Sequence, residues 1–66
     1  MRTKLKIFRI SRKMNQQQMA EQLQYERAYY GHVERGYMNG SAEFWTRMQA
    51  AFELTDEEIQ ELKEVD

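Results

Sequence analysis

The sequence predicts an all-α domain of five short helices and no sheet. Three observations carry this. Apolar residues recur at spacings of three and four, and no stretch of five residues alternates as a strand would. There is no proline and there are only three glycines, which disfavours a loop-rich fold. Helix start signals recur, with Asn15, Ser41 and Thr55 each standing just before an apolar-periodic run. At 66 residues the chain is one small domain, residues 1–66, near the lower limit of independent folding.

The first helix is expected over Thr3 to Lys13. Leu5 and Phe8 are its inward stripe, and Ile7 and Ile10 form a second stripe that implies burial on two sides or an exposed patch that meets a partner. The second helix starts at Asn15, whose side-chain oxygen suits an N-cap, and Gln18 three residues on completes a variant of the capping box. Met14 and Met19 fit a hydrophobic staple around that cap. Met19 and Leu23 share the buried face, with the small Ala20 beside them.

Only Gln24 and Tyr25 precede the third helix, Glu26 to Arg35, with Tyr30 and Val33 inward and Gly36 placed as a C-terminal glycine. Tyr37 to Gly40 reads as a loop with an Asn-Gly turn signal. Ser41 caps the fourth helix, Ala42 to Phe52, whose stripe is Phe44, Met48, Ala51 and Phe52 with Trp45 at the edge. Thr55 to Glu58 is a capping box with three acids on the positive end of the helix dipole, and Ile59, Leu62 and Val65 line the fifth helix. The predicted core is Leu5, Phe8, Met14, Met19, Ala20, Leu23, Tyr25, Tyr30, Val33, Phe44, Met48, Phe52, Ile59 and Leu62.

Composition excludes several functions. With no cysteine and one histidine there is no disulfide framework, thiolate metal site or thiol nucleophile. No Ser/His/Asp set or glycine-rich phosphate loop occurs, so no enzyme, metal or cofactor is expected. No apolar run is long enough to span a membrane, and the chain reads as cytoplasmic. The net charge of −1 hides an asymmetry: residues 1–50 sum to +5 and residues 51–66 to −6. Such a distribution lets a basic body face a polyanion while an acidic helix, about 55–65, points away. An ordinary charged surface is the alternative.

Two short helices joined by a tight turn, with a small residue in the first, describe a helix-turn-helix, here about residues 16–35. The residues Leu5, Phe8-Arg9, Arg12, Met14-Asn15-Gln16, Met19-Ala20, Leu23, Tyr25, Tyr30 and Val33-Glu34-Arg35-Gly36 resemble the pattern of the Cro and lambda-repressor-like family, also called XRE. The resemblance extends from Asn39-Gly40-Ser41 to Phe52, which is similar to the family's fourth helix. It implies a compact five-helix lambda-repressor-like domain that binds double-stranded DNA through the third helix.

Site residues follow from the resemblance one at a time. Arg27, Ala28 and His32 stand where the family faces base edges in the major groove, flanked by Glu26 and Tyr29. Arg27 has the geometry to bond O6 and N7 of guanine together. Gln16 and Gln17 open the second helix at a phosphate position, and Arg9, Arg35, Tyr37 and Asn39 complete the expected phosphate contacts. Arg9 and Glu34 match a family pair that bridges the first and third helices. The sequence departs from the pattern at Gln24, where glycine is usual, at Glu26, where a Ser or Thr cap is usual, at Gly31, and at Gly40, which replaces a proline.

The function expected is a sequence-specific transcriptional regulator, a repressor resembling those of bacterial, phage or mobile-element origin, acting as a homodimer on a pseudo-palindrome. The C-terminal helix is the first candidate dimer surface and the Ile7/Ile10 stripe the second. The alternative is a protein-interaction module, such as an antitoxin or anti-regulator, that presents the acidic C-terminal helix to a protein partner.

Overall fold

The computed structural model describes all of residues 1–66 and contains five helices: α1 (Thr3–Ser11), α2 (Gln16–Leu23), α3 (Arg27–Arg35), α4 (Ala42–Phe52) and α5 (Asp56–Lys63). No helix is long and apolar enough to cross a membrane. The α2 and α3 pair forms the helix-turn-helix. The fourth helix packs behind α2, and α5 packs against both α1 and α4.

The start signals form as their chemistry requires. Asn15 Oδ1 accepts from the Gln18 amide at 2.7 Å while Gln18 Oε1 accepts from the Asn15 amide at 2.9 Å. Thr55 and Glu58 make the same reciprocal pair, and Ser41 Oγ accepts from the Phe44 amide. Two expected ends are shorter. The first helix stops at Ser11 rather than Lys13, because Arg12 caps it and Lys13 turns to φ +59°. The fifth stops at Lys63, so Val65 lies beyond it and is 54 % exposed rather than inward.

Twelve apolar side chains are buried in one cluster, with Phe8, Met14, Tyr25, Tyr29 and Phe52 packed against it. Phe44, fully buried, is its centre. The rings of Tyr25, Tyr29, Tyr30 and Trp45 surround it with centroids 4.9–6.2 Å away. Such offset and edge-on contacts add about 0.5–1.5 kcal/mol per pair beyond burial itself. Phe8 meets Phe52 edge-on at 5.1 Å, which fastens α1 to α4. Two core members differ from expectation. Trp45 is buried rather than at the edge, and Leu54 is buried as the apolar residue before the Thr55 cap, a staple position opposite Ile59. Ala51, expected on the α4 stripe, is exposed.

The tight turn keeps its left-handed geometry without glycine. Gln24 sits at φ +62°, ψ +43°. An L-residue there costs roughly 1 kcal/mol. Arg47 reaches over from α4 and donates to the Leu23 and Gln24 carbonyls at 3.0 and 3.3 Å, its guanidinium lying over the Tyr25 ring. These are carbonyls that a helix end leaves without partners. Glu43, one turn earlier, pairs with the same arginine.

Candidate nucleic-acid interface

Helix α3 has one buried and one open face. Tyr30, Gly31, Val33 and Glu34 are buried, whereas Arg27, Ala28 and Arg35 are exposed and His32 is half-buried. Arg27 and Arg35 are eight residues apart, about 12 Å along the helix and close to the width of the major groove. Neither makes an ion pair within the chain, so both guanidinium groups are available to an external acceptor. Glu26 is the N-cap of α3 but makes no capping bond with its side chain, which leaves its carboxylate exposed.

Tyr29 departs from its expected place beside the base-facing residues. Its ring stacks on Tyr25 at 5.0 Å and its hydroxyl accepts from the Ser41 amide at 2.9 Å. The cause is helical period. Residue 29 is one turn before Val33 and shares its inward side. His32 lies with its ring 5.9 Å from Tyr37, its Nδ1 buried and without a partner.

Beneath this face lies a buried polar network. Arg9 grips Glu34 with Nε to Oε2 at 2.8 Å and Nη2 to Oε1 at 3.1 Å, and donates from Nη1 to the Met14 carbonyl at 2.8 Å. Gln16 Nε2 donates to the same Glu34 Oε1 at 3.2 Å. One carboxylate thus fixes α1, the α1–α2 connection and the start of α2 against α3. Burial alone would push the Glu34 carboxyl up, but the bonds from Arg9 and Gln16 outweigh it and hold it below the ordinary glutamate range. The Tyr30 hydroxyl sits beside this pair, outside good hydrogen-bond geometry, and burial raises it far above the ordinary tyrosine value.

Arg9 is 11 % exposed and all three of its guanidinium nitrogens have partners inside the chain, so its expected phosphate contact gives way to this bridging role. Gln16 is oriented across the groove between α2 and α3. The missing side chain of Gly31 leaves that space, because a Cβ there would lie 3.4 Å from both Gln16 Oε1 and Arg35 Nη1. Gln17 is exposed and tied to Glu21 through its amide. The Gln16 and Gln17 backbone N–H groups have no partner, as is usual in the first turn of a helix, and point along the dipole that favours anions.

Past Gly36, at φ +85°, the loop to α4 carries Tyr37, Met38 and Asn39, all exposed. The Tyr37 and Met38 amides return to the His32 carbonyl. Arg2, which no sequence motif marked, holds the loop from the other side. Its partners are backbone carbonyls 31 to 61 residues away, and no periodicity reports such contacts. No group of three or more His, Asp or Glu side chains is placed to hold a metal.

The face assembled here has two free arginines on one helix, with unpartnered amides at the start of the neighbouring helix. It has the elements that dock on a duplex. The family model described as a helix-turn-helix domain matches residues 1–62. No characterised protein and no solved structure matches the chain significantly. With its five helices and its α2–α3 turn, the chain belongs to the helix-turn-helix domain family and is a DNA-binding protein of the Cro and lambda-repressor-like kind.

Proposed function

We propose that this chain is a sequence-specific transcriptional regulator, a repressor, that reads the major groove with α3. The observation that carries the reading is the open face of α3, where Arg27 and Arg35 lack internal partners. Arg27, near the helix start, reads a guanine through O6 and N7. The Ala28 methyl meets a thymine methyl, and His32 and the exposed Glu26 carboxylate complete the base-facing set. Gln16, Gln17, Arg35, Tyr37 and Asn39 hold phosphates on either side and set the register.

One monomer covers a half-site of a few base pairs, and a second copy one turn away, about 34 Å, supplies the other half. Self-association through α5 would set its exposed acids Glu57 and Glu61 against themselves. We therefore assign the second copy to the α1 stripe, where Ile7 and Ile10 are 60 % and 52 % exposed.

Selection of bound duplexes from a random pool, at about 0.1–0.15 M salt so that non-specific electrostatics is weak, tests the reading. A two-fold-symmetric motif that is lost in Arg27→Ala is expected. Absence of any enriched sequence overturns it and moves attention to a protein partner on the acidic α5.

A further inference from the structure

Arg2 is the most deeply buried cation of the chain, 3 % exposed. It makes no ion pair. Its guanidinium donates instead to four carbonyls: Nε to Lys63 at 3.0 Å, Nη1 to Val33 at 2.7 Å and Met38 at 2.8 Å, and Nη2 to Asn39 at 3.2 Å. Its own amide donates to the Glu34 carbonyl at 2.7 Å, and the Trp45 ring lies 5.5 Å from the charge. Val33 and Glu34 are in the last turn of α3, the negative end of its dipole, which compensates a buried cation without a carboxylate.

Two of these acceptors lie in the α3–α4 loop, and their direction has a geometric consequence. In a trans peptide the C=O of one residue and the N–H of the next point opposite ways. With the Met38 and Asn39 carbonyls drawn inward to Arg2, the Asn39 and Gly40 N–H groups face away from it. Neither has a partner within the chain, whereas the flanking amides of Tyr37, Met38 and Ser41 all do. Trp45 Nε1 donates to the same Asn39 carbonyl at 3.1 Å and fixes the second peptide plane from the α4 side.

We propose that Arg2 is a positioning residue of the DNA interface. It never touches the duplex, and it holds the loop so that the Asn39 and Gly40 N–H groups are presented as a pair of phosphate donors beside the end of α3. This deepens the DNA-binding reading and rests on it. A lysine at this position keeps the charge but lacks the planar fork that spans carbonyls of α3, the loop and α5 together.

The test compares wild type with Arg2→Lys on a short duplex from the selected pool, measuring affinity against salt concentration. Amide resonances of Asn39 and Gly40 are followed with and without DNA. A phosphate contact contributes about 0.9 to the salt slope, which at about 0.1 M salt is close to eightfold in affinity. Arg2→Lys is expected to fold, to displace both resonances in the free protein, and to bind about 8- to 60-fold more weakly with a slope lower by about 1 to 2. Its preferred sequence stays unchanged. A merely structural role lowers affinity only through the folded fraction and leaves the slope alone; that result overturns the proposal, as does a folded variant with wild-type affinity.

Should Arg2→Lys not fold, the wild-type titration decides. Large shifts of the Asn39 and Gly40 amides on saturation support the proposal. Silence at both, in a protein that binds, overturns it while leaving the DNA-binding reading intact. A wild-type protein that binds no duplex overturns both.

Discussion

Replacing Glu34 by glutamine removes the charge that Arg9 faces while keeping the shape of the side chain. Glu34 is 2 % exposed and Arg9 11 %, so the orphaned guanidinium has little access to water. Breaking one side of a buried pair costs about 3–5 kcal/mol. Glutamine still offers one oxygen to Arg9, which places the expected loss at the lower end, about 3 kcal/mol. A domain of this length has about 3–10 kcal/mol of total stability, and the loss corresponds to a drop in Tm of about 12–24 °C. The pH dependence gives the sharper signature. The Glu34 carboxyl is held below its ordinary value in the folded state, so its contribution is fully present above about pH 4.3 and drains away as pH falls through the lower folded value. Every other carboxylate is common to both proteins. The stability gap between wild type and Glu34→Gln is therefore flat from pH 5 to pH 8, at about 3 kcal/mol, and narrows in acid. Urea unfolding, read through the buried Trp45, measures it. A gap under about 1 kcal/mol at neutral pH, or one that does not change down to about pH 3, refutes the reasoning.

Further substitutions probe the backbone. Gly31→Ala is expected to stabilise by about 0.5–1 kcal/mol in urea, because the new methyl meets only flexible side-chain ends at ordinary contact distance and the helix interior loses a glycine; a loss of stability contradicts this. Gly40→Ala places a Cβ 2.8 Å from Trp45 Nε1 at φ +79°, and a loss of about 1–3 kcal/mol with an altered Trp45 emission is expected. Arg47→Met frees the Leu23 and Gln24 carbonyls and is expected to cost about 1–2 kcal/mol. Adding Gln24→Gly to that variant recovers part of the loss, since glycine enters the left-handed region without the penalty of roughly 1 kcal/mol. Chemical denaturation of the single and double variants checks both, and no recovery rules out the turn as the seat of the effect.

The local signals were readable because they are local. A cap and its partner are three residues apart, so Asn15 with Gln18 and Thr55 with Glu58 are visible as spacing. Leu54 obeys the same rule, standing just before a cap and five residues before Ile59, and was legible in principle. Arg2 and Arg47 were not. Their acceptors are main-chain carbonyls, which every residue type carries, so nothing in the identity of residues 23, 24, 33, 38, 39 or 63 reports the contact. Arg9 shows the converse. Its partner is a carboxylate, and the pairing with Glu34 left a trace in the motif. Tyr29 followed its helical period rather than its neighbours in the chain.

Residues 1–4 and 64–66 are joined by hydrogen bonds. Asp66 accepts from both the amide and the hydroxyl of Thr3, its own amide returns to the Met1 carbonyl, and Lys4 pairs with Glu64. No residue at the start of α1 caps it with a side chain, so residue 66 supplies that cap. A chain made from its N-terminus therefore emerges with its first helix unfinished. Until residues 63–66 are in place, Thr3 lacks its acceptor and the Arg2 guanidinium lacks the Lys63 carbonyl. Residues 2 and 3 thus depend on residues 63 and 66 for part of their hydrogen bonding.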